Sequence, residues 1–156
     1  MEIFPTKELR FKLLDSKAET IERLKRRTEF SEKMTSNFTD KSFRGILNDD
    51  EFKIISSEIG KGALCVMTGK IDNENGYVNV EINKAFQILF SILCVMPIIA
   101  LTIETFKKPN DILFFILIGI GQILMIRYFF IGLFFSRMSK RSLNRLRDVL
   151  DIEFKE

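Results

Sequence analysis

Positions 85–103, AFQILFSILCVMPIIALTI, run for nineteen residues without a charge. As a helix rising about 1.5 Å per residue, that run is ~28 Å long, enough to cross the hydrocarbon core of a bilayer. A second apolar run covers 112–135, broken by Gln122 and Arg127, and a short polar turn separates the two. Together they predict a two-helix transmembrane hairpin at 85–103 and 112–135. The chain then divides into a soluble domain at 1–84, the hairpin at 85–135 and a tail at 136–156.

The way into the first span is abrupt. Residues 77–83, YVNVEIN, alternate strictly, with Val78, Val80 and Ile82 on one face and polar residues and Tyr77 on the other. That period of two marks a half-buried strand. A strand cannot continue into lipid, where every backbone N–H and C=O must be bonded within its own segment. The chain must therefore turn helical at the boundary, with Asn83 as the N-cap. Only Lys84 then separates sheet from span, so the domain sits pressed against the headgroups, not held off on a stalk.

The rest of the domain reads as an α+β fold. Leu9, Phe11 and Leu13 alternate with charged residues in a first strand. A short amphipathic helix follows over 17–28, with Ser16 and Glu19 at capping-box spacing and Ala18, Ile21 and Leu24 as its stripe. Residues 29–42 are polar and unpatterned, a loop. Two hairpins follow, one turning at 48–50 and one at 72–76, where Asn, Asp and Gly supply turn chemistry. The expectation is a small antiparallel sheet of about five strands with one or two covering helices. In the tail, Leu143, Leu146 and Leu150 recur at helical spacing, so the tail helix is expected to pack on the soluble domain, with a short strand at 152–154. The alternative is an interfacial helix on lipid, favoured by Arg141, Arg145 and Arg147.

Charge sets the orientation. The composition is 46% hydrophobic yet 29% charged, and the charges crowd into the two ends. Lys84, Arg137, Lys140 and Arg141 flank the domain side of the hairpin, with Arg145 and Arg147 beyond, whereas the turn carries Lys107 and Lys108. Positive residues stay in the cytoplasm, and the N-terminal stretch lacks a secretory signal pattern. Both termini are thus expected in the cytoplasm, in an integral membrane protein of the inner membrane.

Arg127 is the one charge inside the second run. Counting in from the turn with Ile103 opposite Ile112 sets it level with Ile88, about one turn from the cytoplasmic boundary. There it would snorkel to headgroups beside Tyr128, the alternative being a charge that serves a pore or a partner. Lys84, Arg127, Tyr128, Arg137, Lys140 and Arg141 are accordingly read as membrane-interface anchors. Gly119 and Gly121 are expected to let the two helices approach, and Pro97 to bend the first. The densest basic run, RLKRR at 23–27, is a solvated helix face or, through Arg23, Arg26 and Arg27, a contact for anionic headgroups or a partner.

Catalysis finds little material. Histidine is absent, which removes the commonest general base and metal ligand at neutral pH. Two separated cysteines, Cys65 and Cys94, make neither a zinc site nor a disulfide framework, and fit a reducing compartment. No cofactor, metal or catalytic residue is expected. DNENGYVNVEIN departs from a calcium loop by its glycine in fifth place and by Asn83 where a glutamate belongs. ALCVMTGKI fails as a phosphate loop, with Leu64 where a glycine is needed. Asp49 and Asp50 are read as a solvated turn. The glycines of GKG, 60–62, would offer N–H groups to a phosphate, with a bare turn as the plainer reading. A net charge of +3 is too small for a nucleic-acid binder.

Phe43-Arg44-Gly45-Ile46, followed by Phe52-Lys53-Ile54-Ile55 and by VMTGKI at 66–71, resembles a pattern in small uncharacterised bacterial membrane proteins. The resemblance implies an N-terminal soluble α+β domain, a C-terminal two-helix hairpin and a basic tail, and brings no activity. The order of elements is also similar to helix-grip domains that enclose lipids, by analogy of fold alone. The expected function is a non-catalytic membrane-tethered module binding a protein partner or lipid at the cytoplasmic face. The alternative is an oligomeric two-helix effector, a homo-oligomer perturbing the bilayer when its domain senses a signal.

Overall fold

The structure is a computed structural model that describes residues 4–60, 62–107 and 112–155. Lys61 and Lys108 lie outside them. Among the described residues the elements are β1 Thr6–Leu13, α1 Lys17–Arg27, β2 Thr28–Phe30, β3 Phe43–Asn48, β4 Glu51–Ser56, β5 Cys65–Ile71, β6 Asn75–Ile82, α2 Lys84–Lys107, α3 Ile112–Met125, α4 Phe134–Leu150 and β7 Ile152–Lys155. A 3₁₀ turn, Gly62–Leu64, leads into β5, and a π-helical stretch, Ile126–Leu133, joins α3 to α4.

The sheet has seven strands in the order β2-β3-β4-β5-β6-β1-β7, not about five. Nor is it wholly antiparallel, because β2 pairs parallel to β3, with Thr28 opposite Phe43 and Phe30 opposite Gly45. Three residues are too few to show an alternation, which is why β2 is hidden at the start of the loop expected at 29–42. At the other edge, β7 pairs with β1, Leu13 opposite Ile152, and Phe11 meets Phe154 edge to face at 6.4 Å.

Register stacks the inner face in rows. Leu9, Val78, Gly69 and Phe52 form one row, and Val80, Met67, Ile54 and Gly45 the next. A Cβ at Gly76 would overlap the Phe11 ring, and one at Gly69 the Phe52 ring, so these glycines make room for the two aromatics. Burial of Cys65 pushes its thiol from an ordinary 9.0 up to about 12, so it stays protonated at neutral pH.

Two helices cover that face. Ser16 caps α1, accepting from the Glu19 N–H at 3.4 Å. Leu24 is buried and Ile21 partly so, but Ala18 is exposed, and Thr20 takes the inward position instead. From α4, Leu143, Leu146 and Leu150 enter the same core as Phe11, Phe52, Val80 and Leu24. Both ends of the chain therefore build one hydrophobic core. Each buried leucine is worth roughly 1.5–3 kcal/mol, a large share of the ~5–15 kcal/mol that holds a domain folded.

The second apolar run and the tail are one rod. Helical structure runs without a break from Ile112 to Leu150. Its buried positions include Ile126, Ile131, Phe135, Ser139, Leu143, Leu146 and Leu150. Ile126 and Ile131 are five apart, a spacing that an α-helix turns away from a common face. The π-helical stretch has more residues per turn, which brings both back to one side. The first apolar helix also outruns its expected bounds, spanning Lys84–Lys107 instead of 85–103. Both α2 and the rod are long and apolar enough to cross a membrane.

Leu146 is fully buried, so Leu146→Ala should cost about 2–5 kcal/mol. Denaturant melts in detergent would measure this, with exchange protection falling in β1 and β6. Unchanged protection in those strands would show that α4 is not part of their folding unit.

Candidate functional site

The strand-to-helix junction organises the site. Asn83 donates its backbone N–H to the Leu64 carbonyl at 2.8 Å, and its carbonyl accepts from Phe86 and Gln87 in the first turn of α2. Its Oδ1 accepts from the Ala85 N–H at 3.3 Å, the capping bond expected from the sequence. The Nδ2 group adds two bonds with no local signature, to the carbonyls of Met34 at 2.8 Å and Ala63 at 3.0 Å. One side chain thus starts α2 and ties two distant loops to its first turn. Gln87 closes the junction by donating to the Ile82 carbonyl at 2.8 Å.

Beside this junction, α4 and the end of β4 enclose a groove of about 520 Å³. Met138, Arg141, Ser142, Arg145 and Asp148 supply one wall at helical spacing; Ser56, Glu58 and Gly62 supply the other. A Cβ at Gly62 would overlap the Ser56 carbonyl, so glycine lets the 3₁₀ turn close against β4. Arg141 pairs with Glu58 at 3.0 Å, and Arg145 donates to the Ser56 hydroxyl at 3.2 Å. Asp148 faces Arg147 at 3.2 Å. Each guanidinium carries five N–H donors in a fixed fork, and these contacts leave donors available to a phosphate or carboxylate. The groove thus sets two arginines, Arg141 and Arg145, beside two carboxylates, Glu58 and Asp148.

The anchors expected from sequence fall into groups. Lys84, Arg137 and Lys140 are exposed near the helix ends that meet the domain. Arg141 belongs to the groove wall. Arg23 does not stand with Arg26 and Arg27. Its guanidinium contacts Asp15 and Asp151, each at 2.7 Å, and Glu19 at 3.6 Å. The Asp15 hydrogen bond above all holds Arg23 above its usual basicity, so its fork is taken up within the fold. Arg26 and Arg27 are exposed on α1. Sequence reasoning missed Arg145, Ser56 and Glu58 as partners. The signal is there in part: Arg141, Arg145 and Asp148 lie four and three apart, and the GKG turn next to Ser56 and Glu58 has the glycines of a phosphate cradle.

Arg127 sits at a different level from the one expected. α2 continues to Lys107 before α3 starts at Ile112, and Gly119 packs against Leu101. Carrying that register along sets Arg127 level with about Leu93, not Ile88. It is half-buried within the π-helical stretch, and Tyr128 beside it is 72% exposed. Of the two glycines expected to bring the helices together, Gly119 does so; nothing lies within 4 Å of a Cβ at Gly121.

Comparison with protein-family models, curated proteins and solved structures found no match for this chain.

Substitutions at Asn83 separate its roles. Asn83→Ala loses the cap and both loop bonds, a cost of roughly 2–3 kcal/mol. Asn83→Asp keeps the cap but turns a carboxylate toward two carbonyl oxygens, and should be at least as destabilising at neutral pH. An Asp variant as stable as wild type in thermal melts would reduce Asn83 to a helix cap.

Proposed function

We propose that this chain is a non-catalytic, membrane-tethered binding module. In this reading α2 and the rod cross the bilayer as a hairpin, both termini are cytoplasmic, and the Arg141–Arg145 groove receives the phosphate of an anionic lipid headgroup. The observation that carries it is the continuity of the rod. The helix that forms one groove wall is the same helix that enters the second apolar run, with Arg137 and Lys140 exposed between them. A groove built this way stays close to the membrane surface, where lipid phosphates are the most abundant oxyanions. A protein carboxylate would fit the same donors, but it lacks that enforced proximity. Lys84 and the tail arginines add the cationic surroundings that favour anionic lipid, each worth about 1 kcal/mol near such a surface.

Native mass spectrometry from detergent, with phosphatidylglycerol and phosphatidylcholine as competing probes, tests this assignment. The wild type should retain phosphatidylglycerol preferentially. The double variant Arg141→Gln/Arg145→Gln should weaken that retention about ten- to thirtyfold, from the loss of two such charges. Its melting temperature should fall only modestly, because the Arg141 pair lies at the surface and the part-buried Arg145 bond to Ser56 is a single hydrogen bond. Equal retention of the two lipids by the wild type would overturn the preference for anionic lipid, and retention of both unchanged in the double variant would remove lipid phosphate from the groove and leave a protein carboxylate.

A second reading, the bilayer-perturbing oligomer, is favoured by one observation. A position level with Leu93 is roughly 14 Å inside the start of α2, close to the middle of a ~30 Å core. Side chains lean toward the N-terminus of their helix, so Arg127 leans away from the cytoplasmic headgroups. An anchor role is strained there, and a charge at such depth usually serves a pathway or a partner. As a mid-span charge costs about 2.5–3.5 kcal/mol on insertion, Arg127→Leu should integrate at least as well as wild type. Vesicle leakage decides between the readings: leakage by wild type that is lost in Arg127→Leu supports the effector, and a tight wild type supports the tether.

A further inference from the structure

Two of the most exposed apolar side chains outside the apolar helices are Phe38, 82% accessible, and Ile59, 62%. They lie on separate loops, 31–42 and 57–64, that the fold brings together. Register shows why. Ile82 lies opposite Cys65, Val66 opposite Ile55, and Phe43 opposite Ser56. The loop entering β3 and the loop between β4 and β5 therefore leave the sheet at the same end, where β6 passes into α2.

Side-chain bonds then hold both loops at the level of the helix start. The Asn83 amide donates to Met34 in one and Ala63 in the other. The loops are also stitched to each other: the Ala63 N–H donates to Ser36 Oγ at 3.1 Å, and Ser57 Oγ donates to the Ser42 carbonyl at 3.0 Å. Leu64, next to Ala63, is buried in the same cluster as Ile131 and Phe135 of the rod. Phe38 and Ile59 together flank a small cleft with Lys41 and Arg145. The two apolar tips thus lie on loops that are fastened, at Met34 and Ala63, to the residue where the chain becomes a membrane-length helix.

We infer that the soluble domain rests on the bilayer through these two tips, with Phe38 and Ile59 seated at the boundary between headgroups and acyl chains. The inference rests on the hairpin reading above. The occupant is a lipid surface because the apolar helix starting at Lys84 brings that surface to the level of Asn83. Aromatic and aliphatic side chains favour that boundary. The loop charges do not carry the contact: Glu32 and Asp40 balance Lys33 and Lys41 in the first loop. Seating should therefore persist in zwitterionic lipid. The contact would fix the tilt of the domain and aim the neighbouring groove at the headgroup layer.

The chain contains no tryptophan, so each introduced indole reports alone. Phe38→Trp, Ile59→Trp, Leu93→Trp and Leu14→Trp would be made in the full chain and reconstituted into phosphatidylcholine vesicles with or without brominated acyl chains. Leu93 reports on the hairpin, and Leu14, 59% exposed at the opposite end of β1, is the control. Bromolipid should quench the Phe38→Trp, Ile59→Trp and Leu93→Trp variants, with blue-shifted emission in the first two, and leave Leu14→Trp unaffected. Quenching of Leu93→Trp alone would overturn the loop contact while sparing the hairpin; quenching of none would overturn both. Protection of Phe38→Trp and Ile59→Trp from aqueous acrylamide without bromolipid quenching would assign the patch to a second copy of the chain and overturn the lipid contact.

Discussion

A backbone amide in lipid has no water to bond, and in the proposed hairpin this constraint falls on Asn83. The last strand before the span must release its sheet bonding and begin helical bonding within a single residue. Asn83 achieves this with its backbone N–H in the sheet end, its carbonyl in the helix and its side-chain oxygen on the cap. The remaining amide hydrogens then fasten the 31–42 and 57–64 loops. A leucine here would bury two unsatisfied carbonyls and leave the first turn of the helix open. The fastening of both loops and the start of α2 rest on this one side chain.

The second dependency is mechanical. A rod running from Ile112 to Leu150 carries Gly119 against Leu101 at one end and Leu146 in the sheet core at the other. The π-helical stretch keeps its buried side facing one way as the surroundings change from helix to sheet. Displacement of the hairpin helices relative to each other is thus transmitted to the domain without a flexible linker to absorb it. The groove, with one wall on the rod and one on β4, is where such movement would change a dimension.

Much of this architecture was legible in the sequence because it rests on local periodicity. The alternation at 77–83, the nineteen uncharged residues, the turn residues between strands and the leucines at 143, 146 and 150 each carry their own signal. What escaped was long-range or too short. The parallel pairing of β2 with β3 leaves no trace in three residues, and the Arg23 contacts with Asp15 and Asp151 join separate elements. The level of Arg127 differs from expectation because α2 runs four residues beyond Ile103, to Lys107, where uncharged character no longer marks it. The groove was half visible: its arginines fall on one helix face, but no pattern could pair Arg145 with Ser56 or Arg141 with Glu58.

The place of β1 in the sheet sets an order on how the molecule can come into being. It lies between β6 and β7, with Leu13 bonded opposite Ile152, so its two neighbours are synthesised on either side of the hairpin. Both apolar helices are made in the interval. Until α4 and β7 are in place, β1 has an open edge, and the inner face of the sheet lacks Leu143, Leu146 and Leu150. If the hairpin crosses a bilayer as proposed, completion of the fold waits on its insertion: a chain left uninserted keeps an unfinished sheet, the kind of exposed edge and apolar face that quality-control proteases and chaperones recognise.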